Sequence, residues 1–421
     1  MNYQETLNFI HSLDKFGSRP GLDRVKRLFS LTPQILSQSF VHVAGTNGKG
    51  SVCVMLSHIL EKAGYRVGLF ISPYITEFRE RIQINNRPVS KDTLTEAVEY
   101  YRPLLKKLND EGVIITEFEF LTVIAFYIFH RQECEVIVCE TGMGGLLDST
   151  NVIERPLCSV ITKVDLDHTA ILGDTIEEIT LQKCGIIKEN RITVTAPQDE
   201  AVSKIIRRTA EEKHNLLFSA EDIMPHDIDC SLRGIDFSYM REKMHLPLVG
   251  RHQLDNLKCA LACVKALNLF GHLHISPLHI KDGLSSVSHP ARFERLSDKP
   301  VIILDGAHNK NGIKAFTDAV KTYYGYTGKT LIIGMLADKD SSVELLKGLF
   351  KRIITTDIDN PRALDAEELA QRCRAVSGNV EVIRDPKDAL DKALSYKDDI
   401  FICGSLYLAG EIRPYILQTS K

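Results

Sequence analysis

Short apolar runs, separated by segments with helical spacing, organise the first half of the chain. One run covers residues 41–44, and apolar positions three and four apart follow at 52–63. Further apolar runs lie at 67–71, 136–139, 160–164 and 192–195. Strands that are apolar at every position are typical of parallel sheets covered by helices on both faces. The pattern therefore predicts an α/β domain with a mostly parallel sheet.

The pattern changes after this region and then returns. Short strands and turns are predicted from about residue 215 to 248, and helical spacing resumes at 254–269. A second series of apolar runs lies at 301–304, 331–334, 353–356, 380–383 and 400–403. Because helix-length connections separate them, these runs predict a second, smaller α/β sheet of Rossmann-like arrangement. We expect a first domain at 1–295 and a second at 296–421.

A glycine-rich segment joins the first strand to its helix. It reads Gly-Thr-Asn-Gly-Lys-Gly-Ser at 45–51. Glycines let backbone amides converge on an anion, the helix start adds the positive end of its dipole, and Lys49 brings a mobile charge. The spacing departs from the general phosphate loop, since Gly50 separates Lys49 from Ser51 and only two residues separate the first two glycines. The segment nevertheless predicts a site for a nucleoside triphosphate.

Oxygen-bearing and imidazole side chains follow the predicted strands. Glu140 ends one strand and precedes Thr-Gly-Met-Gly-Gly, so its carboxylate can face a phosphate. Ser72 follows another strand directly and can add a hydroxyl to a magnesium shell. His168 ends Asp-Leu-Asp-His at the same edge of the sheet, where a neutral imidazole can bind a second metal. A turn carboxylate, a Ser-Pro turn and a solvated loop histidine are the structural alternatives.

Three further charged residues fall near predicted ligand positions. Lys183 lies in a helical stretch, where burial statistics favour an exposed amine. Arg292 precedes the second series of strands and can neutralise a phosphate, and Asp305 follows the first strand of that series, at the edge where such sheets bind ligands. A triphosphate held by the first domain and contacted by Arg292 and Asp305 would occupy a cleft that closes over its substrates.

The composition excludes several classes of protein. The 421 residues carry a formal net charge of −3, with both signs spread along the chain and no basic block. We therefore expect no nucleic-acid and no membrane partner. The ten cysteines show no paired CxxC spacing that would indicate zinc, and free thiols are typical of a reducing cytoplasm. The start of the chain lacks the charged region and long apolar run of a signal peptide, so we expect a cytoplasmic protein.

Six sequence blocks carry a family resemblance. They are GTNGKGS at 45–51, SPYITEFRERI at 72–82, ETGMGGLLDSTN at 140–151, DHTAILGDT at 167–175, GRHQLDN at 250–256 and DGAHN at 305–309. In this order they resemble the folylpolyglutamate synthases and bifunctional dihydrofolate synthases of the Mur ligase superfamily. The resemblance implies an ATP-dependent ligase that joins L-glutamate to a folate or a dihydropteroate through an acyl phosphate, giving ADP and phosphate.

The resemblance also implies roles for individual residues. It assigns ATP contacts to Asn47, Gly48, Lys49, Gly50, Ser51, Asn256, Arg292 and Asp305. It assigns two magnesium ions to Ser72, Glu140 and His168, and catalytic roles to Lys49, Lys183 and His308. Lys183 matches the family lysine that becomes N-carboxylated. The pterin substrate would contact Arg24, Phe118, Phe120 and Asp148.

Four residues depart from the family pattern. Ala291 stands where glycine is usual before Arg-Phe-Glu, and Lys310 replaces a proline. Tyr74 replaces a frequent histidine and Leu146 a frequent arginine. Tyr74 and Leu146 lie near segments that family members use for the pterin substrate, so they bear on its form, whereas the residues for ATP are retained.

Two other functions stay open at this point. A cell-wall Mur ligase would use the same chemistry on a UDP-sugar peptide, but only about 44 residues precede the glycine-rich segment, too few for its UDP-binding domain. A regulatory ATPase would bind a partner protein and hydrolyse ATP without folate and glutamate. We expect the ligase, acting as a monomer. The sequence leaves open whether it adds the first glutamate, later ones or both.

Overall fold

The computed structural model describes residues 1–13, 21–325, 328–337 and 342–419. The helices in these ranges are α1 (Tyr3–His11), α2 (Asp23–Phe29), α3 (Lys49–Lys62), α4 (Lys91–Asp110), α5 (Glu117–Arg131), α6 (Thr169–Leu172), α7 (Ile176–Cys184), α8 (Glu200–Glu212), α9 (His252–Leu269), α10 (Pro277–Ser285), α11 (Lys310–Tyr324), α12 (Ala366–Arg374), α13 (Pro386–Ser395) and α14 (Leu406–Thr419). None of them combines the length and the hydropathy that crossing a bilayer requires.

The strands in the same ranges are short, as the apolar runs predict. They are β1 (Ser39–Ala44), β2 (Val67–Phe70), β3 (Ile82–Ile84), β4 (Arg87–Pro88), β5 (Val136–Glu140), β6 (Cys158–Ile161), β7 (Ile192–Thr195), β8 (Leu216–Ser219), β9 (His226–Ser231), β10 (Gly234–Tyr239), β11 (Glu242–Leu246), β12 (Glu294–Asp298), β13 (Val301–Leu304), β14 (Lys329–Ile333), β15 (Arg352–Thr355), β16 (Val380–Val382) and β17 (Asp399–Cys403).

The N-terminal sheet has eight strands in the order β4-β3-β2-β5-β1-β6-β7-β8. All neighbours from β2 to β8 are parallel, while β3 and β4 add an antiparallel edge. Because both faces of the parallel part are covered, its strands are apolar at nearly every position, as the sequence shows. The predicted α/β fold is confirmed.

Helices cover both faces of this sheet. Alternate residues of a strand point to opposite faces, and β1 divides its side chains in this way. Val41 and Val43 pack on α3, α9 and α10. Phe40 packs on the other side with α2, α4 and α5. The three-stranded antiparallel sheet β11-β10-β9 joins the first of these cores through Ile235 and Leu246.

The C-terminal sheet has six strands in the order β12-β13-β17-β14-β15-β16. Only β12, at one edge, pairs antiparallel. Ile303 and Phe401 face a core with α11 and α12, and Ile302 and Ile402 face a core with α13 and α14. The carboxyl ends of β13 and β17 therefore meet at one edge, which is where open parallel sheets bind ligands.

One predicted strand is shifted. The run predicted at 160–164 forms the strand Cys158–Ile161 instead. The carbonyl of Lys163 accepts hydrogen bonds from the backbone amides of Thr46 and Asn47, at 2.9 and 3.2 Å. Since this carbonyl serves the glycine-rich loop, it is not available to a neighbouring strand, and the ladder ends before it.

Candidate active site

The glycine-rich loop, residues 45–48, runs from the end of β1 into the start of α3. Gly48 has φ of +89°, and a Cβ on this residue would lie 2.1 Å from Oδ1 of Asn256. A Cβ on Gly45 would lie 1.8 Å from Oγ1 of Thr162. Both positions therefore need glycine, because the backbone passes too close to α9 and to the end of β6. The loop leads into the amino end of α3, where free amides and the helix dipole favour an anion.

Lys49 and Glu140 face each other beside this loop. The register of β1 with β5 pairs Val43 with Glu140, which brings the carboxylate next to the loop. Nζ of Lys49 lies 3.8 Å from Oε1 of Glu140 and donates to the carbonyl of Gly45 at 3.2 Å. Oε2 of Glu140 accepts a hydrogen bond from the amide of Ser72 at 3.1 Å. The structure thus brings together the predicted phosphate ligand and two predicted metal ligands.

Glu140 is a buried carboxylate at the edge of a cavity. Burial raises its pKa above the ordinary value, although the charge of Lys49 opposes the shift. The cavity has a volume of about 240 Å³ and is lined, among others, by Gly50, Ser72, Glu140, His289 and Arg292. A buried carboxylate is favourable only when a cation balances it, so this position suits a bound cation.

Lys183 is buried, with 3% of its surface exposed, so the exposed position favoured by burial statistics is wrong. Its Nζ donates a hydrogen bond to the carbonyl of Gly45 at 2.9 Å, which ties α7 to the glycine-rich loop. Burial, aided by the charge of Lys49, lowers the pKa of the amine to about 7, while Asp167 and Asp148 act in the opposite direction. Near neutral pH a large fraction of this amine is therefore uncharged.

His168 lies at the start of α6 with φ of +53°. Its backbone amide donates to Oδ1 of Asp167 at 2.8 Å. Asn309, from the C-terminal sheet, donates from Nδ2 to Oδ2 of Asp167 and to Oδ1 of Asn47, both at 3.2 Å. One amide therefore links the His168 loop to the glycine-rich loop from the opposite sheet. The metal role of His168 stays a prediction.

The C-terminal sheet places Asp305 at the end of β13. Its Oδ2 accepts from the amide of Phe293 and its Oδ1 from that of Ala307, both at 2.7 Å. Burial raises the pKa of Asp305 to about 6, although Arg292 opposes the shift. The connection held in this way contains Ala291 with φ of +53° and Phe293 with φ of +49°. Glycine, usual in the family at the first of these positions, adopts such angles without strain.

His308 and Asn256 complete the predicted nucleotide site. Nδ1 of His308 lies 2.8 Å from the carbonyl of Gly306, which fixes the ring next to β13. Nδ2 of Asn256, on α9, donates to Oε1 of Gln253 at 2.9 Å. With the nitrogen engaged in this way, Oδ1 of Asn256 is the atom that closes the space around Gly48.

The residues predicted for the pterin substrate have different environments. Arg24 forms an ion pair with Glu119, with Nη2 and Oε1 3.0 Å apart. Phe118 and Phe120 are two residues apart on α5 and therefore point in different directions. Phe120 has 0% of its surface exposed and contacts Phe9 with ring centroids 6.0 Å apart. It belongs to the hydrophobic core, and this geometry does not support a substrate contact there.

Asp148 is buried beneath the segment that follows β5. Its Oδ1 accepts from Oγ1 of Thr150 at 2.6 Å and its Oδ2 from the amide of Met143 at 2.8 Å. Oγ1 of Thr150 lies 2.8 Å from Nε2 of His42. Burial raises the pKa of Asp148, and these hydrogen bonds counter the shift. The carboxylate thus orders the glycine segment that carries the chain away from Glu140.

Sequence reasoning gave no role to three side chains of this site: Asp167, His289 and Asn309. The first and last lie inside the sequence blocks described above, so their position was a usable signal. His289 lies outside every block and reaches the site only through the fold. Its Nδ1 lies 3.4 Å from Oγ of Ser51, and burial, aided by Arg292, keeps its pKa well below the ordinary value.

Comparison with known proteins agrees with this architecture. Residues 43–264 match the Mur ligase middle domain, and residues 291–406 match the glutamate ligase domain of Mur ligases. These two matches include the glycine-rich loop, Glu140 and Lys183 in the first range and Asp305 and His308 in the second.

Whole-chain relatives agree as well. The dihydrofolate synthase/folylpolyglutamate synthase of Bacillus subtilis is 35% identical over 429 residues, with 98% of each chain covered. The folylpolyglutamate synthase of Mycobacterium tuberculosis, solved with ADP and AMPPCP, is 29% identical with a TM-score of 0.89 and 99% of each chain covered. An FPGS solved with AMPPCP and folate is 31% identical with a TM-score of 0.84, covering 99% of this chain and 100% of that one. The chain belongs to the Mur ligase family, in its group of folylpolyglutamate and dihydrofolate synthases.

We expect Gly48→Ala to weaken AMPPCP binding by about 10- to 100-fold, the scale of an overpacked site. Gly64→Ala is the matched control, because Gly64 has φ of +93° but a Cβ there meets nothing within 4 Å. Both variants carry the strain of a positive φ, and only Gly48→Ala collides with Asn256. Titration calorimetry with AMPPCP measures the difference, and equal affinities in the two variants would contradict the proposed loop geometry.

Proposed function

We propose that the protein is an ATP-dependent amide ligase that joins L-glutamate to the carboxylate of a folate or a dihydropteroate. The observation that carries the proposal is the convergence of two sheets on one site. Lys49, Glu140 and Lys183 come from the N-terminal sheet, and Arg292 and His308 come from the connection to the C-terminal sheet and from its edge. A site shared in this way suits an enzyme that must hold ATP and two further substrates together.

ATP lies with its phosphates on the glycine-rich loop. The residues that meet the phosphates are Asn47, Gly48, Lys49, Gly50 and Ser51, through backbone amides, the Lys49 ammonium and the Ser51 hydroxyl. Asn256 lies behind the loop, and Arg292, positioned by Asp305, approaches from the second sheet. Structurally similar synthases are solved with ADP or AMPPCP, which supports ATP as the nucleotide.

The donors around Glu140 fit magnesium. They are hard oxygen atoms, namely its carboxylate and the hydroxyls of Ser51 and Ser72, and magnesium prefers such ligands. In the described ranges, no group of three or more His, Cys, Asp or Glu side chains is arranged to hold a metal alone. Magnesium commonly binds through one or two protein ligands together with phosphates and waters. We place one ion at Ser72 and Glu140 and a second at His168, where they would neutralise phosphate charge.

The chemical obstacle is the approach of a carboxylate to the anionic γ-phosphate. Lys49 and Arg292 reduce this repulsion and stabilise the charge on the transferred group. The substrate carboxylate oxygen bonds to phosphorus while the bond from phosphorus to the β-phosphate oxygen breaks, and ADP leaves. The amine of glutamate then bonds to the carbonyl carbon of the acyl phosphate, a proton is lost, and phosphate leaves. His308 stands near the phosphate that is transferred.

The acyl phosphate must be kept from water. Asn309 reaches from the start of α11 to Asn47 of the glycine-rich loop, so the two sheets are already in contact at the phosphate end. Closure of the two domains around this contact would exclude water while the amine attacks. We assign residues 1–295 to the ATP-binding domain and 296–421 to the ligase domain.

We propose that Lys183 is N-carboxylated. The neutral amine forms a bond to the carbon of CO2 and loses a proton, which leaves a carbamate anion. The pKa of about 7 supports this step, because it provides the neutral amine near neutral pH. The carbamate would also turn a cation near Lys49 into an anion, which replaces repulsion by attraction.

The proposed enzyme acts as a monomer in the cytoplasm. All ten cysteines are free thiols, and nine of them are buried. Thiols that are not paired as disulfides are typical of a reducing compartment, which supports this location.

Turnover should produce ADP and phosphate and should require both glutamate and a pteroyl substrate, since the carboxylate attacks the γ-phosphate. Chromatography of the nucleotides, with tetrahydrofolate and dihydropteroate in separate reactions, tests this. Lys49→Ala should lower the rate by on the order of 1000-fold, whereas Lys62→Ala, at the exposed end of the same helix, should not. AMP as product would exclude the acyl phosphate, and hydrolysis without the two substrates would favour a regulatory ATPase.

The proposed metal ligands should respond differently to magnesium. Glu140→Ala should remove activity at every magnesium concentration, because magnesium held at this position would lose its carboxylate ligand. His168→Ala should raise the magnesium concentration needed for half-maximal rate and leave AMPPCP binding nearly unchanged. The exposed His272 provides the control substitution His272→Ala. A magnesium dependence of His168→Ala that matches the control would return His168 to the solvated loop alternative.

Lys183→Ala should lose most activity, and acetate or formate should restore part of it by replacing the carbamate. In the unmodified chain, enzyme depleted of CO2 should regain activity faster at pH 8 than at pH 6, because the neutral amine predominates only above a pKa of about 7. The exposed Lys204→Ala is the control. Intact mass measured with bicarbonate should show about 44 additional mass units, as the modification requires. Full activity of Lys183→Ala would disprove the carbamate.

A further inference from the structure

The proposed mechanism assigns no role to the side chain of Arg81, which is a cation. It ends the helical turn Phe78–Arg81 and precedes β3. Its guanidinium carbon lies 5.1 Å from the ring centroid of Tyr74 and 5.7 Å from that of Phe78. Aromatic faces attract the charge of a guanidinium, but they leave its in-plane N–H donors without acceptors.

The Nε donor of Arg81 lacks a partner in the described part of the chain. Its Nε is shielded from solvent and has no hydrogen-bond partner there. The described ion pairs of this segment join Arg79 to Glu77 and include none with Arg81. A shielded N–H of a charged group without an acceptor is unfavourable, so an anion that binds next to it would be stabilised.

The charges near Arg81 belong to other pairs. Burial lowers its pKa, while Glu117, followed by Tyr74, Tyr407 and Glu140, favours its charged form. The Glu117 carboxylate lies 3.3 Å from Nδ1 of His11. Glu140 faces Lys49 at the phosphate end, as described above. These carboxylates stabilise the charge of Arg81 from a distance and leave its donors to a ligand.

The backbone locates Arg81 beside the site. Its carbonyl accepts a hydrogen bond from the amide of Ile71 at 3.1 Å, and the next residue, Ser72, donates its amide to Glu140. Glu140 marks the phosphate end, and Glu117 immediately precedes Phe118, which was predicted for the pterin end. Tyr407 lies on α14, which packs against the C-terminal sheet. An anion bound to Arg81 would therefore lie between the reacting carboxylate and the pterin ring.

The loop that carries Arg81 is held rigidly. The Glu80 carboxylate accepts hydrogen bonds from the amides of Ile75, Thr76 and Glu77, at 2.7, 3.1 and 2.9 Å. On its other side the loop is covered by α14, so closely that a Cβ on Gly410 would lie 2.0 Å from the carbonyl oxygen of Ile75. The position of Arg81 is thus set before a substrate arrives, which favours recognition of a charge at a defined distance from the phosphates.

We propose that Arg81 binds the α-carboxylate of the glutamate whose γ-carboxylate reacts with ATP. The proposal rests on the ligase function proposed above. In a folate, this α-carboxylate lies nearer to the pterin than the γ-carboxylate does. The α-carbon and two methylene groups separate the two carboxylates. A guanidinium pairs with a carboxylate through two parallel hydrogen bonds. Dihydropteroate has no second carboxylate, so Arg81 is a specificity-determining residue for glutamylated substrates.

Equilibrium binding to enzyme loaded with Mg²⁺ and AMPPCP tests the contact directly. The probes are folic acid, folic acid with its α-carboxylate converted to an amide, and pteroic acid. Arg81→Gln should lower the affinity for folic acid by about 10- to 100-fold, as expected for a charged hydrogen-bonded pair. The same substitution should leave the affinities for the α-amide and for pteroic acid nearly unchanged, because neither compound presents the α-carboxylate. Arg79→Gln, which removes a charge from the same loop, is the matched control.

Kinetics provide a second measurement on the same variants. Arg81→Gln should raise KM for tetrahydrofolate with little change in kcat, and KM for dihydropteroate should stay near that of the unmodified enzyme. Arg81→Lys, which keeps the charge without the paired donors, should lie between the two. Circular dichroism and the thermal midpoint establish that the variants are folded, and they should match those of Arg79→Gln.

Several outcomes would overturn the assignment. If Arg81→Gln lowered the affinities for all three probes equally, Arg81 would contact the reacting carboxylate or the ring. If the affinity for folic acid were unchanged, Arg81 would make no contact with the substrate. Failure of the proposed function is recognised separately. If the unmodified enzyme formed no ADP with either substrate, the ligase proposal would fall, whereas the ratio of folic acid to α-amide affinities would still decide the contact at Arg81.

Discussion

The parallel pairing of β1 with β5 is the contact on which the site depends. Its register sets Val43 beside Glu140, so the last residue of β5 reaches the glycine-rich loop that leaves β1. Alternate residues of a strand face opposite sides of a sheet. A slip of one residue would therefore turn Glu140 away from Lys49 and remove the acceptor that holds the amide of Ser72. The buried side chains of β1 resist such a slip, since it would turn Val41 and Val43 into the core built around Phe40 and turn Phe40 into theirs.

Around this pairing the protein keeps charges that the chain alone does not balance. Burial raises the pKa of Glu140 and of Asp305, and it lowers that of Lys183 to about 7. Each shift has the same cause, which is the removal of a charged group from water. Nucleotide, metal ions and a carboxylate substrate supply the missing charges in the proposed enzyme. Binding energy and the ionisation of the site are therefore coupled.

The second sheet takes part through a few contacts at one edge. Asn309 bonds to both Asn47 and Asp167, and Asp305 holds the connection that carries Arg292. These contacts come from the carboxyl ends of parallel strands and the start of α11, the positions where such sheets generally bind ligands. The two sheets thus meet where the phosphates of ATP are expected, which explains why neither sheet by itself would form the proposed site.

The sequence by itself determined the α/β fold, the glycine-rich loop and the strand ends that carry Glu140 and Asp305. These depend on local rules, namely continuous apolar runs, glycine where the backbone needs it, and polar residues directly after a strand. Whether a helical residue such as Lys183 or Phe120 is exposed or buried was decided only by tertiary structure. The same holds for His289 and for Arg81. Their environments are created by chain segments distant in sequence, so composition and spacing carry little information about them.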